Sequence, residues 1–268
     1  ISLDKSKDFE IRIKDLDLHF ISESSQKNIS RPFSTNDELK SINTTQKLYQ
    51  KAKEDISYRE YEAAEKKLSE IILKDPYHLE ARAELGELFF RKGQYDTGLK
   101  IVNEGLSIDT YNASLNYIAG IIYKAKNDNL NAKETLGWAS RSIKYRSNAL
   151  SQIGDIYLKE KKFNKAVSYA EKALNFNNNN IPALEILAIV YRKSINQDFY
   201  IDKLTQTFRM KKNEFKLHKK ENKPHNIILD KIYEIDPLHH IIPFEKYLAE
   251  PNEINKKLVI NSHRSELA

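Results

Sequence analysis

An all-α fold is predicted from the sequence: a right-handed solenoid of helix-turn-helix repeats, with a short β-like segment at the N-terminus. Three observations carry this. Small residues recur at Ala52, Gly86, Gly120, Gly154 and Ala188, each 34 residues after the last. Two further series keep the same phase: Ala64, Gly98, Ala132 and Ala166, then Gly105, Ala139 and Ala173. Aromatic residues follow the first series three positions on, at Phe89, Tyr123, Tyr157 and Tyr191, while Tyr61, Tyr95 and Phe163 open the second helices. A period in this range belongs to stacked helix pairs. One small residue in each helix lets two antiparallel rods approach closely, and the third admits the next repeat.

In residues 1–22, Phe9, Ile11 and Ile13 alternate with Glu10, Arg12 and Lys14, and Leu16, Leu18 and Phe20 resume the alternation. That period of two is strand-like. A lone strand is unstable in water, so the segment reads either as the last strand or hairpin of a β-domain preceding Ile1, or as an extended tail packed on the first repeat. Residues 23–44 turn to Ser, Asn, Lys and Thr with Pro32 and read as a linker. The array is placed at 45–250, with repeats at 45–78, 79–112, 113–146, 147–180 and 181–239. Asp75-Pro76 closes the first repeat, because proline cannot continue a helix. Gly93, Asn127 and Lys161 fall at the turn inside successive repeats, a place for left-handed backbone that suits glycine, then asparagine, and lysine least.

Register breaks after Tyr191. Asp236-Pro237 mirrors Asp75-Pro76 but comes 25 residues late, which marks an insertion near 198–224. The pattern there predicts a long helix near 197–217, a polar loop near 218–225 and helices at 226–235 and 241–249. A tail at 251–268 ends in ten or so residues that read as weakly anchored.

Composition narrows the function classes. The net charge of +6 is concentrated in RMKKNEFKLHKKENK (209–223), which carries seven Lys/Arg against two Glu, so the rest of the chain is near neutral. With only Phe215 interleaved, that stretch lacks the stacking half of a single-strand site, and no nucleic-acid partner is expected. No apolar run reaches membrane-spanning length, and no membrane partner is expected. There is no Cys, so disulfides and thiolate metal sites are excluded; the compartment cannot be read, with the cytoplasm as the default. The chain begins at Ile1 with no leader and reads as a piece of something longer.

The residues in phase match the pattern of the tetratricopeptide repeat, and the chain resembles that family. Four junction segments, SIDTYNASLNYIAG (107–120), KYRSNALSQIGDIYL (144–158), ALNFNNNNIPALEILAIVYRK (173–193) and EIDPLHH (234–240), resemble a narrower bacterial group of unassigned activity. In that group the repeats follow a mutarotase-like β-sandwich, a sugar-binding type of domain. The resemblance implies a non-catalytic scaffold that binds a protein or peptide, its own preceding β-domain included, along a concave groove. It also implies an alternative: the C-terminal part of a carbohydrate-active or sugar-binding protein whose active site lies in the preceding sandwich.

Groove positions two, five, nine and twelve follow from the repeat phase, the acidic stripe adds Glu84, and the surroundings of Trp138 add Tyr145 and Arg146. The candidate ligand-binding residues are Tyr49, Lys53, Glu84, Glu87, Tyr117, Lys124, Tyr145, Arg146, Asn148, Ser151, Asp155 and Arg192. Glu80, Glu84 and Glu87 form an acidic stripe on one helix side. Glutamate there argues against capture of a terminal carboxylate and favours a basic or hydroxyl-rich ligand. Glu84 and Glu87 as an acid–base pair is the less natural reading beside a solvated acidic face. Trp138 with Arg141, Tyr145 and Arg146 offers a sugar or anion cradle, although helix packing explains Trp138 as easily. His239-His240 reads as a turn, since adjacent histidines diverge and no third ligand is spaced nearby. With no phosphate-cradling glycine loop, no GxSxG and no HExxH, no cofactor, metal or catalytic residue is assigned.

Overall fold

The computed structural model of the chain describes residues 10–13, 18–21, 44–193 and 224–265. The expected helix near 197–217, most of the polar loop after it and nearly all of the linker lie outside these residues. Two compact units separate at Lys47/Leu48.

In the first unit, β1 (Glu10–Ile13) and β2 (Leu18–Ile21) pair antiparallel as a hairpin. Glu10 faces Ile21 and Ile13 faces Leu18. The alternating run is thus folded back on itself.

The second unit is helical. Its pairs are α1 (Thr44–Ser57) with α2 (Tyr61–Lys74), α3 (Leu79–Arg91) with α4 (Tyr95–Ile108), α5 (Ala113–Ala125) with α6 (Asn129–Ala139), and α7 (Ile143–Lys159) with α8 (Phe163–Phe176). Next comes α9 (Ile181–Lys193), which packs on α10 (Pro224–Ile235), followed by α11 (Ile241–Ala249) and α12 (Glu253–Ser265). The second helix of the fifth pair therefore resumes beyond the insertion. The expected weakly anchored end is helical through Ser265, with most of α12 exposed where it is described.

All the small residues of the three series are buried. A Cβ built on Gly86 would stand 2.5 Å from Cγ2 of Val102, on Gly105 2.7 Å from Cδ1 of Leu115, and on Gly120 2.5 Å from Cγ of Leu136. The first and last of these contacts join the two helices of one repeat, and the middle one joins successive repeats. Core packing at crystal-like density leaves no slack for an added methyl at such distances.

Turns within the pairs are built alike. Arg59, Gly93, Asn127 and Lys161 all have φ near +60° to +72° and lie 34 residues apart. In the second pair, the N–H of Gln94 donates to the carbonyl of Phe89 (2.9 Å) and that of Gly93 to Phe90 (3.0 Å). Glu60/Arg59, Asp128/Asn127 and Lys162/Lys161 repeat this double bond. It is the Schellman closure, which satisfies last-turn carbonyls at the cost of one left-handed residue.

Between pairs, Asp75, Asp109, Asn177 and Asp236 each accept a hydrogen bond from a backbone N–H two residues on, at 3.0–3.2 Å. The junction after the third pair differs. Ile143 stands at the phase where an Asp or Asn would sit, so α6 stops at Ala139 and α7 starts early, at Ile143.

Candidate functional site

The first helices of successive pairs supply one continuous face, and its side chains divide into two groups. The first group joins Tyr49 on α1, Glu84 and Glu87 on α3, Tyr117 on α5 and Tyr145 at the start of α7. The rings of Tyr117 and Tyr145 stack with centroids 5.2 Å apart, and Tyr49 lies 4.8 Å from His78. Lys53 Nζ lies 6.0 Å from the Tyr49 ring and Lys144 Nζ 5.0 Å from the Tyr145 ring. Glu87 is paired with Arg91 at 2.6 Å, one turn along α3.

Burial and like charge set the electrostatics here. Glu84 is pushed above the ordinary carboxylate range by burial and then by Glu87, with Lys53, Lys144 and Arg91 acting in the opposite sense. The Tyr49 hydroxyl is pushed up to about 12 by burial and by Glu84, Glu80 and Tyr145. Burial, Glu87 and Tyr145 likewise raise Tyr117. The patch thus disfavours negative charge while holding a carboxylate. Such conflict is a physical mark of binding sites.

The second group is tied up in ion pairs. Lys124 reaches across from α5 to Asp155 on α7 (2.5 Å) and also donates to the side-chain oxygen of Gln152. Burial pushes the Asp155 carboxyl up, but Lys124 and Lys159 outweigh this and leave it below its usual range. Glu185 on α9 is raised by burial and by Asp155, with His239 and His240 opposing. His239 accepts from the N–H of Ile241 at Nδ1 (3.4 Å) and stands 3.5 Å from Glu185 through Nε2. Arg192 donates to Glu245 on α11 at 2.6 Å, and Glu245 is buried.

Three expected groove residues make contacts that hold the helices together. Ser151 is buried, with its hydroxyl donating to the Asn148 carbonyl (2.9 Å). Position five of each repeat leaves long side chains half-buried (Tyr49, Tyr117, Glu185) and covers short ones (Ala83, Ser151). Arg146 donates to the carbonyls of Ser140 and Arg141, both at 3.0 Å, and lies over Phe176. It caps α6 much as buried Arg82 and Asn116 cap the preceding junctions through Pro76 and Thr110. The early start of α7 moves this capping role one turn ahead of the regular phase. Asn148 is exposed and accepts from Asn180, whose buried side chain also caps α9 through Ala183.

The Trp138 cradle is split. Trp138 packs against Tyr111 (4.7 Å) with the Arg141 guanidinium 4.0 Å over its ring, while Tyr145 belongs to the Tyr117 stack. Residues that the sequence reading did not select are Lys144 and His78 at the tyrosine patch, and Glu245 under Arg192. Lys144 escaped because it precedes the regular start of its repeat, and Glu245 because the insertion hides its phase.

Comparison with known proteins fits this geometry. Residues 147–180 match the tetratricopeptide repeat model. No curated protein matches the chain. Among solved structures, PilF of Pseudomonas aeruginosa superposes with a TM-score of 0.61 at 17% identity, covering 81% of this chain and 88% of its own. A tetratricopeptide repeat protein from Parabacteroides merdae gives 0.56 at 15%, covering 82% and 78%. MamA from Desulfovibrio magneticus gives 0.52 at 15%, covering 63% and 97%. The family match covers the repeat alone and brings in no mutarotase-like sandwich. The described helices accordingly share the fold of tetratricopeptide-repeat solenoids.

Proposed function

We propose that the array is a non-catalytic scaffold that holds an extended segment of a partner protein along the face of its first helices, centred on Tyr49, Glu84, Glu87, Tyr117 and Tyr145. The observation that carries this reading is the convergence of tyrosines from three first helices, α1, α5 and α7, on one half-buried patch. Tyrosines offer large rigid contact area with a polar tip, and they dominate the energetics of many interfaces. A helical solenoid presents such groups in a row, which suits a chain-like ligand better than a compact one. Ion pairs fill the second half of the face, so the first half is where a ligand gains most.

The test is capture of decapeptides from a random array by the purified chain. Replacing Tyr117 with Ala is expected to weaken capture at least about tenfold, the scale of an interfacial tyrosine, while the helical circular dichroism signal is retained. Undiminished capture by Tyr117→Ala would contradict the proposal.

A further inference from the structure

The tyrosine patch holds more hydrogen-bonding capacity than it uses. Among the described residues, no hydrogen bond is made by the Glu84 carboxylate or by the hydroxyls of Tyr49, Tyr117 and Tyr145, although all four side chains are half-buried. Glu87 differs, since Arg91 holds it through two donors, Nε at 3.1 Å and a terminal nitrogen at 2.6 Å. Glu84 is thus the open acceptor. Its largest cationic influences, Lys53 and Lys144, are exposed lysines on flexible stems.

Ring faces add a second, independent indication. Lys144 sits over Tyr145 and Lys53 lies 6.0 Å from the centre of the Tyr49 ring, so both rings present a face that a cation can occupy. An ammonium at such distances is drawn by the negative face of the ring. Neither lysine is buried, and each can be displaced at the cost of a weak surface contact.

The geometry points to an arginine side chain of the bound segment as the group recognised here, stacked on the Tyr117–Tyr145 pair with its donors turned to Glu84 and the tyrosine hydroxyls. This rests on the peptide-scaffold reading and names the chemistry that reading would select. A carboxylate ligand would lie beside Glu80, Glu84 and Glu87, of which Glu87 is held by Arg91, and a neutral donor would leave the charge of Glu84 uncompensated. A guanidinium matches best: it is planar, stacks on aromatic faces and carries five donors in a fixed fork. It brings positive charge to a carboxylate held above its usual range, so binding draws Glu84 toward ionisation and releases a proton near that range.

The experiment uses the whole chain and an arginine-containing decapeptide retained from the random array, beside the same peptide with citrulline in place of arginine. Citrulline keeps the shape and loses the charge. The expected results are an affinity loss of about tenfold for the citrulline peptide and erasure of that difference in Glu84→Gln, as for loss of a hydrogen bond to a charged group. Lys144→Gln should tighten the arginine peptide about twofold to fivefold by removing the resident competitor, a gain that a merely structural role for Lys144 does not produce. If decapeptides are captured through Tyr117 but arginine and citrulline bind alike, the arginine inference is overturned and the scaffold reading stands. If no decapeptide is captured, or capture ignores Tyr117→Ala, both are overturned.

Discussion

Two glycine-to-alanine changes in the same helix pair should have opposite signs. At Gly120, on α5, the new methyl would lie 2.5 Å from Cγ and 2.8 Å from Cδ2 of Leu136, a residue with no exposed surface. Cγ is the branch atom of a packed side chain, so it cannot swing aside without moving α6. Overpacking of this kind costs about 3 kcal/mol, at the upper end of its usual range. The intrinsic helix preference of alanine over glycine returns about 1 kcal/mol. Gly120→Ala is therefore expected to lose about 2 kcal/mol, which for an array of this size lowers the melting temperature by about 4–8 °C. At Gly137, on α6, nothing lies within 4 Å of the built methyl. Only the preference remains, and Gly137→Ala should gain about 0.5–1 kcal/mol. Urea titrations followed by circular dichroism at 222 nm measure both. Because repeats couple mainly to their neighbours, the midpoint and the slope should be compared together. If both alanines stabilise alike, close approach at the small-residue series is not what sets the helix spacing.

Further outcomes follow from the turns and the patch. Lys161 is exposed and held at φ 59°, so Lys161→Gly should stabilise by about 0.5–1 kcal/mol, the left-handed penalty less the greater freedom of unfolded glycine; a loss in the same urea titration would contradict this. Glu84, facing Glu87, Lys53, Lys144, Arg91 and Tyr49, has a folded pKa above its unfolded value. Its ionised form therefore costs stability above the folded pKa, and the cost fades as pH falls through that value. Glu84→Gln should melt higher than the parent at pH 7, with the gap closing as pH falls toward the ordinary carboxylate range; a gap that stays constant with pH would refute the assignment.

The sequence made the helix spacing legible because shrinkage of a side chain to hydrogen or methyl is a requirement that few other residues meet. Gly93 and Asn127 announced their turns for the same reason, as residue types that tolerate left-handed backbone. Arg59 announced nothing, since arginine carries no such preference and only the phase of Gly93 points to it. The early start of α7 was invisible because Ile143 differs from the junction Asp and Asn residues by what it lacks, a side-chain acceptor. Tyr49, Glu84, Glu87 and Tyr117 could be read as one face from helical phase. Ser151 could not, because whether position five reaches solvent depends on side-chain length as well as register. Partners of the second group, Glu185 with His239 and Arg192 with Glu245, join segments on either side of the insertion, where a fixed period no longer relates one residue to another.

The helix spacing depends on direct contact between small residues and the large side chains facing them. Nuclear Overhauser effects from the Hα protons of Gly86 to the Val102 methyls, and from those of Gly120 to the Leu136 methyls, measure that contact in solution. Strong cross-peaks at both pairs, with none linking Gly137 to any methyl beyond its own helix, are the expected result. Absence of the two contacts in a folded, helical sample would contradict the account.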